Sequence, residues 1–105
     1  LIPMCNEPAH GTHHECKKDM RGIEYQGKVN KTVYGKTCWP WQLLQKHIGS
    51  DNIGKFPDAN IEDALNYCRN YNNEKLGPWC YYCDTDCGNE DERKFKKDYQ
   101  SKRSR

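Results

Sequence analysis

The sequence predicts a small disulfide-rich domain, mostly loops with short antiparallel β-structure and at most one short helix. Three observations predict it. Leu, Ile, Val and Phe together number 14 of 105 residues, too few for aliphatic burial alone to offset an ordering entropy on the order of 100 kcal/mol. Seven cysteines offer the covalent alternative, since a bridge closing a loop of tens of residues stabilises a fold by about 3 to 5 kcal/mol. Turn-forming triplets, Tyr25-Gln26-Gly27, Tyr34-Gly35-Lys36 and Leu76-Gly77-Pro78, punctuate the segments between cysteines.

Disulfides persist in oxidising compartments, so a secreted or extracellular setting is expected. Asn30-Lys31-Thr32 fits that setting as an N-glycosylation acceptor, with Asn30 the carrier of a glycoprotein. No apolar run is long enough to span a bilayer, so no transmembrane segment is expected. The chain opens Leu1-Ile2-Pro3-Met4, without an initiator Met or a cationic leader, as a mature or excised piece would. A net charge of +2 is too small to imply a nucleic-acid partner.

In chain order, residues 1–15 read as an N-terminal arm, with Pro3, Pro8, Gly11 and three histidines and no apolar periodicity. Residues 16–87 read as the folded body, because they hold six of the seven cysteines and all three tryptophans. Inside it the helical candidate is Asp58 to Asn66, where Ile61 and Leu65 stand four apart behind the potential cap Asp58. Residues 88–105 read as a charged, solvated tail. After Glu90, Asp91 and Glu92 it carries Arg93, Lys94, Lys96, Lys97, Lys102, Arg103 and Arg105, with Phe95 and Tyr99 as its packing residues.

Six cysteines allow 15 pairings, so spacing alone leaves connectivity open. The residues between them carry more. Gly22-Ile23-Glu24-Tyr25-Gln26-Gly27, then Thr32, Gly35, Cys38, Trp41 and His47, resemble the opening half of a kringle domain. Asn66-Tyr67-Cys68-Arg69-Asn70 and Gly77-Pro78-Trp79-Cys80-Tyr81 resemble its closing signature. Glycines 27, 35 and 77 independently suit turns that need positive φ or close backbone approach, and Trp41, Tyr67 and Trp79 suit aromatic packing around crossed bridges. The resemblance implies a kringle-like fold with the pairs Cys16–Cys87, Cys38–Cys80 and Cys68–Cys83, leaving Cys5 unpaired or bridged to a partner. The segment Tyr81-Tyr82 between Cys80 and Cys83 is far shorter than the hairpin kringles carry there, which leaves Cys83–Cys5 open as an alternative. The odd cysteine would then suit a disulfide-linked partner.

Many kringles share a shallow lysine-binding groove. There carboxylates meet an ammonium group and aromatic rings cover its methylene stem. Aligned on Cys68 and Cys80, the carboxylate positions fall on Asn72 and Glu74 and the aromatic positions on Trp79 and Tyr81. With half the anionic centre present and the hairpin missing, plain packing of Trp79 and Tyr81 is the expectation favoured over a full lysine groove. Lys17, Lys18 and Arg21, together with the basic tail, suit a polyanion such as a heparin-like glycosaminoglycan, and Lys102-Arg103-Ser104-Arg105 suits a processing edge. His10, His13 and His14, and the Cys80-x2-Cys83-x3-Cys87 spacing, are compatible with zinc, but a zinc cage leaves the other cysteines without a scheme, so no metal and no cofactor are expected.

Catalysis requires a nucleophile, a base and an orienting group in register. Ser50, Ser101 and Ser104 stand in no such setting, and Cys80-Tyr81-Tyr82-Cys83 lacks the βαβ context of a redox motif. The expectation is a non-enzymatic module that recognises an extracellular protein or receptor, a lysine-bearing surface or an anionic one. The rival expectation is a self-contained growth-factor-like or effector ligand whose two arms contact a receptor.

Overall fold

Trp41 and Trp79 meet edge to face at 5.3 Å in the centre of the protein, both fully buried. The structure, a computed structural model, describes residues 2–5 and 15–100. Phe56, Tyr71 and Tyr81 ring Trp41 at 5.1, 5.8 and 6.2 Å, all edge-on, the geometry that ring quadrupoles favour. Leu44, Ile48, Ile61 and Ala64 complete the interior. Aromatic area thus replaces the aliphatic bulk that the chain lacks.

Two strands, β1 (Trp79–Thr85) and β2 (Lys94–Tyr99), form an antiparallel hairpin with Trp79 opposite Tyr99, Tyr81 opposite Lys97 and Cys83 opposite Phe95. A bulge falls between Cys83 and Thr85. Aromatic residues give β1 its strand character. Within residues 88–105, read as a solvated tail, β2 corrects that reading for 94–99: Phe95, Lys97 and Tyr99 recur at the strand period of two and are half-buried on one face. It also supplies the hairpin that was expected to be missing. The chain runs past Cys83 and Cys87 before returning.

Among the described residues, helical structure is confined to single turns: a 3-10 turn at Trp41–Leu44, α1 (Gln45–Ile48), α2 (Ser50–Ile53) and a 3-10 turn at Ile61–Ala64. The predicted helix over 58–66 is therefore only that last turn. Its cap is Asn60, whose side chain accepts from the Asp63 amide. Asp58 turns inward instead, pairing with Arg69 at 2.8 and 3.0 Å. Arg69 is 1% exposed, lies between the rings of Tyr25 and Tyr67, and donates to the carbonyls of Gly27 and Cys68. Glycine is obligatory beside it, since a Cβ on Gly27 would collide with the Tyr25 hydroxyl.

The bridges are Cys5–Cys16, Cys38–Cys80 and Cys83–Cys87, and Cys68 is free. Of the three pairs the resemblance implied, the structure contains Cys38–Cys80. Cys16–Cys87 is replaced because residues 2–5 lie along Cys16 and Lys17. The Cys5 amide donates to the Lys17 carbonyl at 2.8 Å and the Lys17 amide to the Pro3 carbonyl at 2.9 Å. Cys5 is thus paired rather than odd, and the described part of the arm is a strap with Ile2 buried in the core. Cys68–Cys83 is replaced because strand alternation sends Cys83 to the face opposite Cys80, and therefore away from Cys68, whose sulfur lies beside those of Cys38 and Cys80. Cys83 bridges Cys87, which staples the outer end of the hairpin.

Candidate functional site

The loop between Cys68 and β1 is held by side chains from three directions. Buried Asn70 donates to the carbonyls of Arg21 and Glu74, at 2.6 and 2.9 Å, and accepts from the Glu74 amide at 2.7 Å. Gly77 closes the loop with its amide on the Glu74 carbonyl. At φ +93°, with the Met20 carbonyl oxygen 2.7 Å from where a Cβ would sit, no other residue fits.

On this frame Asn72 joins two of the expected site residues. Its amide nitrogen donates to Glu74 Oε2 at 3.0 Å, and its carbonyl oxygen accepts from Trp79 Nε1 at 2.9 Å. Tyr81 packs edge-on against Trp79 at 5.0 Å. The structure therefore brings Asn72, Glu74, Trp79 and Tyr81 together. The Trp79 ring is not an open wall, however, because it is covered from β2.

What covers it is Lys97. Its ammonium donates to Glu74 Oε2 at 2.5 Å, sits 4.4 Å from the Trp79 ring centroid and 5.8 Å from that of Tyr99. Carboxylate and ring faces thus surround one cation. The Lys97 hydrogen bond, helped by its charge and opposed by burial, holds the Glu74 carboxyl below its ordinary range. Burial disfavours the Lys97 ammonium, but the Glu74 hydrogen bond and nearby charges outweigh it and raise its pKa. Lys97 was expected in a solvated basic tail. The Phe95-x-Lys97-x-Tyr99 alternation fits a strand face but does not by itself point to Glu74 or Trp79.

Several of the other basic residues also acquire internal partners. Arg93 stacks over Trp39 at 5.2 Å and donates to the Cys87 carbonyl, while Lys96 pairs with Asp84. Lys17 is buried and donates to the Met20 carbonyl, and Arg21 donates to Asn73. Lys94 and Lys18 are exposed. Lys102, Arg103 and Arg105, like His10, His13 and His14, lie outside the described residues.

The odd thiol is Cys68, not Cys5. It is completely buried, with burial pushing its pKa up to about 12. So enclosed, it does not reach a partner's cysteine, and the disulfide-linked partner expected through Cys5 has no thiol at that position. The sulfurs of Cys38, Cys68 and Cys80 lie within 4.8 Å of one another, two of them joined as a disulfide. Cys80, Cys83 and Cys87, with zinc-like spacing in the sequence, are likewise all oxidised.

A hairpin, a cysteine-bridged aromatic centre and a loop-borne carboxylate beside a tryptophan define a small disulfide-rich domain. Its particular family follows from the match of residues 16–94 to the kringle domain. The chain belongs to the kringle family, whose domains are generally non-catalytic protein-interaction modules. The match runs past Cys87 into the start of β2, and so includes the outer part of the hairpin. Among the described residues no helix is long and apolar enough to cross a membrane.

Proposed function

We propose that this chain is an extracellular, non-catalytic protein-binding module that takes a lysine-bearing partner at the face of Asn72, Glu74, Trp79 and Tyr81. The observation that carries the reading is the Lys97 ammonium between the Glu74 carboxylate and the Trp79 ring. A partner's lysine would use the same charge and ring contacts, its methylene stem lying along Tyr81. Three disulfides support an oxidising compartment. Asn30, half-buried in a loop beside the Lys31–Thr37 bridge, is the proposed glycan acceptor.

Glycosaminoglycan binding has less support, because Arg93, Lys96 and Lys97 already have internal partners. So has a self-contained ligand acting through free arms, because Ile2 and Cys5 are tied into the body. Titration of the full chain with a lysine-rich peptide, followed by amide chemical shifts, tests the reading. Shifts centred on Glu74, Trp79 and Tyr81 that vanish in Glu74→Gln are expected. Shifts confined to the Trp39 and Phe95 side of the hairpin would overturn it.

A further inference from the structure

We infer that Lys97 is an internal occupant of the ammonium cradle, and that a single free alkylammonium group is kept out until Lys97 is displaced. The inference rests on the lysine-face reading and adds its regulation. The geometry is specific. Lys97 faces Tyr81 across the hairpin and lies diagonal to Trp79, whose direct partner is Tyr99, so the strand register itself delivers a lysine stem along the tryptophan.

The cradle is pre-organised around a cation. Glu74 is fixed through its backbone by Asn70 and Gly77, and its carboxylate receives Asn72, Lys97 and the Tyr99 hydroxyl. Neither Asn72 nor Tyr99 carries a positive charge, so without Lys97 the carboxylate would have hydrogen bonds and no counter-charge in the cradle. The Trp79 face would lose its cover at the same moment. That combination is a site for a primary alkylammonium, with the carboxylate taking the charge and the ring the adjacent methylenes.

Lys97 is tethered, so it competes at an effective concentration of millimolar order or higher. Its side chain is 32% exposed and that of Glu74 28%, which leaves a path for exchange. A partner therefore has to bring contacts beyond one lysine, or several lysines close together, to displace it. Lys97 is in this sense a specificity-determining residue, because it discriminates against isolated amines without adding a contact of its own to the partner.

The test compares wild type, Lys97→Ala and the double variant Lys97→Ala/Glu74→Gln, each the full chain with its melting temperature recorded. n-Butylammonium is titrated, and the Trp79 indole N–H resonance and the Glu74 amide are followed. Lys97→Ala is expected to bind at least about tenfold more tightly than wild type, and the double variant to lose that gain. Wild type binding as tightly as Lys97→Ala would overturn the internal-occupant inference and leave the lysine-face reading standing. A Lys97→Ala protein of native melting temperature that fails to bind would overturn both. Should Lys97→Ala lose the fold, Lys97→Gln keeps the stem length while removing the charge and carries the same comparison.

Discussion

The side-chain amide of Gln100 donates to the Cys68 thiol across 3.1 Å in the buried interior. It also donates to the Lys31 carbonyl, so the residue that follows β2 ties the hairpin to the core loops by hydrogen bonds. Cys68 lies 3.7 Å from Cys38 Sγ, next to the Cys38–Cys80 bridge but outside it. The place a sulfur partner for Cys68 would take is filled by an amide.

The variant Gln100→Cys is therefore expected to form a new disulfide between Cys68 and position 100. The mass should be two hydrogens below that of the variant with only the three wild-type bridges closed, and no thiol should react after denaturation. Closing a loop over a separation of 32 residues should stabilise the protein by about 3 to 4 kcal/mol on the chain-entropy account. A variant that retains two titratable thiols would contradict this placement.

In the wild type, Cys68 should be silent toward a thiol reagent at pH 8 and react once per chain in denaturant, because burial keeps it protonated. The linkage sign follows from its raised pKa. The unfolded thiol ionises near 9.0 and the folded one near about 12, so the contribution is whole below 9.0 and is lost as pH rises toward 12. Cys68→Ser should weaken that alkaline decline. Rapid native-state labelling would show that the core opens locally.

Arg69 and Asp58 form a buried pair, with Asp58 7% exposed in its side chain and Arg69 1%. Asp58→Ala leaves the guanidinium with its two carbonyl acceptors and no counter-charge. Urea denaturation should show a loss of about 3 to 5 kcal/mol, as removal of one member of a buried ion pair typically does. A loss below about 1 kcal/mol, the range of exposed pairs, would mean that water reaches Arg69.

Glu74 governs the acid limb of stability at the cradle. Its folded pKa lies below the ordinary 4.5, chiefly through the Lys97 hydrogen bond, so the folded state holds the proton less tightly than the unfolded one. The contribution is complete above 4.5 and lost as pH falls through the lowered value. Wild type should melt above Glu74→Gln at pH 7, and the gap should narrow at pH 3. An unchanged gap would place the carboxylate outside any ion pair.

Much of the body was legible because its chemistry is local. Asn66-Tyr67-Cys68-Arg69-Asn70 and Gly77-Pro78-Trp79-Cys80-Tyr81 hold residues whose roles are tied to backbone form and ring packing, and glycine at 77 is required by one torsion and one carbonyl oxygen. The same signatures located Asn72 and Glu74 by their distance from Cys68. Lys97 escaped because β2 reads Lys-Phe-Lys-Lys-Asp-Tyr, four charges in six residues, which as an isolated segment is a solvated tail. Its strand character exists only once β1 is beside it.

From composition and motif order alone followed the reliance on sulfur and aromatic rings, the Cys38–Cys80 bridge that the kringle resemblance implied, and the convergence on Trp79. Folding in three dimensions settled the rest of the cysteine pairing, the fate of Cys68 and the cation in the cradle. The reason is that a turn or ring contact depends on neighbours in the chain, whereas a bridge or ion pair depends on which distant segments meet. Strand alternation turned Cys83 away from Cys68, the N-terminal strap brought Cys5 to Cys16, and the hairpin register laid Lys97 across Trp79.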